Sequence, residues 1–549
     1  MLWRALQQTW VDNLADPAAV AAIRWGLPLA SAGASTLALI AGRLAALPRR
    51  MLAVDAASWQ AQLGILFAVS LVPSNRDFAG VLYVAAIAVR FAPAAVIAVT
   101  REMALPLLLG CALGLYASLV VWHQAASLPL GDQVHYLLAT DRLAHGSLDA
   151  TTDPGLFRKL TTIDPSDADV ATHVVNAPAG PRTVQGYTLP LLLLPGWLVA
   201  GRFGAELLVA LAAAWAAALT AVILRDTVGS ARLRGWVWAM TTFLPPLVLL
   251  ATHIYPNAFG AAAIAMSYRL GFTAPVRRPA LAGAIGALTL FLNPRDGLVL
   301  FVLLAASAWY GRAHLVRFGG AAAAIAIVAI ASNAVSYGLP VPYAGYFFGT
   351  SQAQALTNAP SITFQFWVGL PAMLFDRTFG LAGSAPWLFI AALGAVPALR
   401  TAPRALIPAA AVIVSSLLAL SIYRYWEGGY APPNRYLVEV VPLAAPFVAY
   451  GLAAVRDWWM RIFVGLLIGM SAFAAFLLSA MPARALNDAF QQQLQDLFDV
   501  SLGVNPLGWL PSFIPVTPDW YVGAYLRLIP AVAIVVLLVW YGARRHVKT

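Results

Sequence analysis

The sequence predicts an all-α, polytopic membrane bundle of roughly 13–15 spans, forming one transmembrane domain over residues 1–549. Three observations predict it. Of the chain, 61% is hydrophobic and only 10% charged, whereas soluble chains carry about 25% charged residues. Mean hydropathy is +0.77. Apolar runs long enough to cross a ~30 Å hydrocarbon core recur from end to end, without the short alternating segments of a β-barrel.

Taken in order, residues 1–24 place Trp3, Leu6, Trp10 and Leu14 on one helical face, the pattern of an interfacial helix. Asp12, Asp16 and Arg24 stand where the apolar core of a cleavable signal would be, so the first span is expected to serve as the insertion signal. Spans are expected near 27–47, 60–74, 79–98, 103–122, 204–224, 235–252, 257–273 and 279–293. Others follow near 297–311, 317–336, 385–399, 405–422, 437–455, 462–481 and 521–541. Alternate loops between them hold 19 of the 34 lysines and arginines, which assigns those loops to the cytoplasmic side.

The opposite, outer side then receives loops 123–203, 337–384, 423–436 and 482–520, with five of the seven histidines. Within the first loop a surface-lying helix is expected to begin near Asp132, followed by turn-rich links. The net charge of +11 comes from scattered arginines, with only two lysines, Lys159 and Lys548. No basic stripe with interleaved aromatics exists, so nucleic acid is excluded as a partner and the lipid bilayer is the expected one. The single cysteine, Cys111, excludes disulfides and cysteine-based metal sites.

Titratable groups concentrate where the chain leaves the bilayer. In "GDQVHYLLATDRLAHG", Asp132 reads either as a helix N-cap or as a general base at the membrane surface. His135 and Asp141 are supporting candidates, His135 because i+3 spacing gives it the same helical face. The spacing matches no metal motif; no cofactor is expected, with a divalent metal the weaker alternative. "NPRDG" sets Arg295 beside Asp296, either as a self-neutralising turn or as a phosphate-binding arginine. "FDRTFG" poses the same choice for Asp376 and Arg377. "YRYWEGGYAPPNRYLVEV" gathers Arg424, Glu427, a Gly-Gly break and Arg435, more than interfacial anchoring needs. The donor-phosphate candidates are Arg295, Arg377, Arg424 and Arg435, and Glu427 is a candidate on the acceptor side. Arg90, Glu206 and Glu439 are the ionisable groups deepest in apolar runs.

Three stretches resemble recurrent features of the glycosyltransferase-C superfamily, membrane enzymes that use polyprenyl-phosphate sugars. "GDQVHYLLATDRLAHGSLD" resembles an acidic "GDE-P-HY-L" loop motif, "LFDRTFGLAGSAPWLFIAALG" a "GL-YSP-L" segment, and "WEGGYAPPNRYLVEVVPL" a "GG-GPRYL-P-LP" segment. The chain departs from the first at Gln133, where a second acid would stand, and at Val134 in place of proline. The resemblance implies a catalytic acid in the first outer loop, carried here by Asp132 alone. It implies a polyprenyl-phosphate sugar donor and a glycan, glycolipid or protein acceptor. It also implies residence in a bacterial inner membrane with the site facing the periplasm or cell exterior. The expected reaction is an inverting transfer to a hydroxyl with Asp132 as base. The alternatives are a transporter or flippase of lipid-linked sugars, or a glycan polymerase or ligase.

Overall fold

The computed structural model describes residues 76–100, 104–151, 154–161, 173–293, 295–341, 344–347, 366–423, 426–428, 431–482, 507–513 and 520–545, with Gly64 and Asn505. The interfacial helix expected over 1–24 and the span near 27–47 lie outside the described residues, as does all but Gly64 of the span near 60–74.

The chain is an all-α polytopic membrane protein. Its helices run α1 Arg76–Thr100, α2 Leu105–Ala126, α3 Asp132–Ala144, α4 Pro154–Leu160, α5 Thr188–Thr227, α6 Ala231–Phe243, α7 Asn257–Tyr268 and α8 Pro279–Leu288. They continue as α9 Asp296–Trp309, α10 Arg312–Tyr337, α11 Phe366–Phe375, α12 Ile390–Thr401, α13 Pro403–Ser421, α14 Val441–Ala454, α15 Trp458–Ala480 and α16 Trp520–Ala543. Among the described residues seven helical segments are long and apolar enough to cross a bilayer, and further apolar helices are shorter.

Alanine decides where the core sits. Ala210, Ala213, Ala214, Ala216 and Ala217 of α5 are completely buried, and α5 packs against α2 and α7. Lipid offers no hydrophobic driving force between helices, so small side chains that let backbones approach are what hold them. The α12–α14 crossing is closer still: a Cβ on Gly394 would fall 1.8 Å from the Phe447 carbonyl oxygen. At the other extreme α10 leaves Ile327, Val328 and Val335 exposed, the outward face of a lipid-contacting helix.

The long loop that follows α2 is more ordered than a run of turns. Its first helix begins at Asp132 as the sequence predicts, and most of that helix is buried. Beyond it, β1 Val174–Ala177 pairs antiparallel with β2 Gly180–Thr183, a hairpin not foreseen in the sequence. Arg182 of β2 donates through Nε to the Ser336 carbonyl at 2.8 Å, and the Tyr337 hydroxyl donates to the Thr183 carbonyl at 2.7 Å. These bonds clamp the hairpin to the end of α10. The boundary expected at 203 also moves. Residues 188–199 are helical and join the span beyond through a break at Ala200 and Gly201, so the loop ends near 187.

Charged pairs stand at both ends of the helices. At one end Asp226 pairs with Arg269 at 3.2 Å and Asp457 with Arg545 at 2.6 Å, and Arg400 donates to the Ala543 carbonyl at 2.8 Å. Asp132, Tyr255, Arg295, Asp376 and Arg435 gather at the opposite ends of their helices.

Candidate functional site

Asp132 is the first residue of α3, following Gly131, whose φ of 56° turns the chain into the helix. The N-cap reading is therefore corrected, because the capping position belongs to glycine. The Asp132 carboxylate looks across the site. Oδ2 accepts from Arg435 Nη1 at 3.3 Å, and Oδ1 lies 3.3 Å from His173 Nε2. Its side chain keeps 31% exposure while that of Arg435 keeps 11%. Burial works against the charged form of Asp132. The hydrogen bond from His173 and the Arg435 guanidinium outweigh it, holding the carboxyl well below the usual carboxylate range.

Each partner is held in turn. Arg435 lies over the Tyr255 ring at 4.6 Å and the Tyr436 ring at 4.7 Å, and donates through Nη2 to the Tyr436 hydroxyl at 2.8 Å. His173 stacks on His135 with ring centroids 3.7 Å apart and planes within 7°. His135 is buried, and burial together with the neighbouring His173 pushes its imidazole well below the usual histidine range. Gln133, the departure from the acidic motif, is fully buried and accepts the Ile254 N–H at 2.9 Å. Its amide thereby fixes the loop that carries Tyr255 beneath Arg435.

The Gly-Gly break is explained by the arginine it adjoins. Gly428 has φ of +92°, and a Cβ there would meet Arg435 Nε at 3.0 Å and Cγ at 3.2 Å. Gly428→Ala is thus expected to cost about 1–3 kcal/mol through backbone strain and displacement of the arginine stem. A lower thermal unfolding midpoint in detergent measures it.

A second layer stands behind Tyr436. Arg295 lies over the far side of the cluster, 4.1 Å from the Tyr436 ring centroid, and closes a fork on Glu439, Nη2 to Oε1 at 2.8 Å and Nε to Oε2 at 3.3 Å. Asn257 and Asn293 also donate to Glu439 Oε1, at 2.7 and 3.0 Å. The self-neutralising turn read at Arg295–Asp296 is corrected accordingly: the counter-charge of Arg295 comes from 144 residues away. Glu206 is neutralised within its own helix by Arg202 at 2.7 Å, with His123 at 3.4 Å.

Asn434, at φ of 61°, donates to Ser384 Oγ at 2.5 Å and to the Gly380 carbonyl at 3.3 Å. Together with the Asp132–Arg435 pair, this brings all three sequence stretches to one place. Asp376 takes a different part. Its buried carboxylate accepts the backbone N–H groups of Thr378, Phe379 and Phe513 at 2.8–2.9 Å, clipping residues 507–513 to the turn. Arg377 points its backbone N–H at the Pro511 carbonyl and lies half-buried there. Asp141 sits nine residues along α3 from Asp132, about 13 Å at 1.5 Å per residue, beside the exposed His145. Glu427 lies in the turn preceding Gly428. Arg424 lies outside the described residues. Among the described residues no group of three His, Cys, Asp or Glu side chains is placed to hold a metal ion.

His173, Tyr255, Tyr436 and Glu439 join the cluster without having been singled out for it. Of these, the sequence marks Glu439 as an ionisable group deep in an apolar run and shows the arginine-tyrosine pairing at 435–436. A cavity of about 460 Å³ is lined by Tyr187, Leu191, Leu192, Phe259, Leu292 and Asn333 among others. Leu191 and Leu192 are exposed on the bundle's outside. Phe259 and Leu292 stand within two residues of the asparagines that hold Glu439.

No family model matches the chain, and no curated protein matches it in sequence. In structure the chain is similar to ArnT from Cupriavidus metallidurans in the apo state, at 16% identity over 76% of this chain and 72% of that one, TM-score 0.40. It is similar also to ArnT bound to undecaprenyl phosphate, at 15% identity over 80% and 75%, TM-score 0.42. A third likeness is to the archaeal oligosaccharyltransferase AglB from Archaeoglobus fulgidus in complex with an inhibitory peptide and a dolichol-phosphate. There the identity is 13% over 76% of this chain and 59% of that one, TM-score 0.35.

Proposed function

We propose that the protein is an integral membrane glycosyltransferase that moves a sugar from a polyprenyl-phosphate donor to a hydroxyl acceptor on an envelope glycan, glycolipid or protein. The site faces the periplasm or exterior of a bacterial inner membrane. The observation that carries this reading is the 3.3 Å pair between Asp132 and Arg435, which joins an acidic helix start to an arginine from a helix 303 residues away.

That pair supplies the two things a displacement at an anomeric carbon requires. The acceptor hydroxyl must lose its proton as it attacks, and the Asp132 side of the pair is where it does so. The departing phosphate gains charge, and Arg435, with Arg295 also over the Tyr436 ring, stabilises it. Attack opposite the leaving group inverts the anomeric configuration. The cavity between Leu191 and Leu292 suits the isoprenoid chain of the donor, because its lining is mostly apolar and Leu191 and Leu192 are exposed.

The test is transfer of a radiolabelled sugar from polyprenyl-phosphate donors by the purified protein, with product stereochemistry read by NMR. Arg435→Ala is expected to lower kcat/KM for the donor about 100-fold, the size of a lost charge-stabilising donor. Retention of configuration would sink the single displacement, and an unchanged Arg435→Ala would remove the arginine from the phosphate site.

A further inference from the structure

The fork between Arg295 and Glu439 leaves Asp296 outside it. The Asp296 side chain is completely buried, and neither of its oxygens meets a hydrogen-bond donor. As the first residue of α9 it stands where free backbone N–H groups favour an anion, yet none of them reaches its carboxyl. Asp376, equally buried, accepts three backbone N–H groups. Asp296 accepts none. A carboxyl buried without donors takes up a proton rather than bear the cost of an unsolvated charge.

As an acid the same group has a partner, because its O–H meets Glu439. One short turn brings the two together. The Asn293 carbonyl accepts the Asp296 N–H at 3.2 Å, while the Asn293 side chain donates to Glu439 Oε1 at 3.0 Å. Glu439 Oε1 also receives Asn257 and Arg295, whereas Oε2 receives Arg295 Nε, at 3.3 Å. A carboxylate oxygen offers two lone pairs, so Oε2 is where a further donor fits.

We propose that Asp296 is held as a neutral carboxylic acid whose O–H donates to Glu439, and that it is a positioning residue for Arg295 at the donor phosphate. This rests on the glycosyl-transfer reading above, which sets Arg295 at that phosphate. The O–H fixes Glu439 from the side that the asparagines leave open, and Glu439 fixes the guanidinium 4.1 Å from the Tyr436 ring centroid. Neutrality matters as well. Arg295, Glu439 and a protonated Asp296 together carry no net charge, whereas an ionised Asp296 would add a negative charge beside a phosphate that is itself gaining one. Among the described residues the charges that act on Asp296 are those of Glu439 and Arg295. Asp296 makes and breaks no bond in the transfer; it acts through its neighbours.

Infrared difference spectroscopy tests the proton without turnover. Wild type minus Asp296→Asn at neutral pH is expected to show the carbonyl stretch of one protonated carboxyl, with the downshift in D2O that marks an exchangeable O–H. Absence of that band overturns the proposal. Thermal unfolding in detergent then tells which carboxyl holds the proton. Asp296→Asn stays neutral and still donates, so its midpoint is expected to match the wild type, while Glu439→Gln removes the charge opposite Arg295 and lowers the midpoint. The reverse order places the proton on Glu439, and the proposal falls.

Binding of a polyprenyl phosphate, followed by native mass spectrometry, tests the positioning role. Asp296→Ala is expected to weaken binding about tenfold, the size of one hydrogen bond to a charged group, and Asp296→Asn to restore it. Unchanged binding in Asp296→Ala, or equal loss in Asp296→Asn, overturns the role; the two amide variants keep the test open where Asp296→Ala does not fold. Wild-type protein that binds polyprenyl phosphate but transfers no sugar overturns the transfer reading and leaves Asp296 its place at the phosphate. Wild-type protein that binds none overturns both.

Discussion

Replacing Asp132 with asparagine is expected to reduce sugar transfer by about 10²–10⁴-fold, the range typical of a lost general acid–base function. Asparagine is nearly isosteric and still accepts one hydrogen bond, so α3 and its Gly131 turn are expected to persist. What disappears is the charge that orients His173 and balances Arg435. The loss should therefore fall on kcat, with the donor still bound, and thermal unfolding should shift little. Because Asp132 and Arg435 form one unit, Asp132→Asn combined with Arg435→Ala is expected to cost less than the product of the two single losses. The check is a double-mutant cycle on kcat/KM. Multiplicative losses would mean that the two residues act separately, and activity within tenfold of wild type in Asp132→Asn would remove the catalytic centre from this site.

Glu439→Ala is expected to be the most destabilising single change around the site, at about 3–5 kcal/mol. Glu439 is buried and accepts from Arg295, Asn257 and Asn293 together. Deleting the carboxylate leaves a guanidinium with its counter-charge gone and two amides without their acceptor, at the junction of α7, α9 and the turn leading into α14. Glu439→Gln keeps the shape and an acceptor oxygen, so about half of the loss should return. Thermal or denaturant unfolding in detergent measures both variants. If Glu439→Ala unfolds like the wild type, Arg295 is not held by Glu439 in the folded protein. In functional terms the variant should also loosen Arg295 from Tyr436, raising the donor KM of whatever protein remains folded.

Much of the architecture was legible in the sequence because hydropathy and helical period are local properties. The runs near 103–122, 317–336, 405–422, 437–455 and 462–481 each became a helix of spanning length within a few residues of the expected ends. The start of α3 at Asp132 was legible too, since a glycine followed by an acid before an apolar-periodic stretch marks a helix beginning. The hairpin at 174–183 escaped notice because four-residue strands carry too few positions for alternation to register. The helix over 188–199 was absorbed into the loop because its break at Ala200 and Gly201 separates it from the span that continues it.

The candidate site divides in the same way. The sequence by itself determined that this is an all-α membrane protein, and it offered Asp132 and Arg435 as candidate site residues. Only the tertiary structure decided that these two meet across 303 residues, that His173 reaches back 41 residues to the same carboxylate, and that Arg295 finds Glu439 rather than its neighbour. The physical reason is one of range. Burial and periodicity act on adjacent residues and are written along the chain, whereas a charge inside a bundle takes whichever counter-charge the packing brings within about 3 Å. That choice depends on how glycines and alanines let distant helices approach, and no local pattern records it.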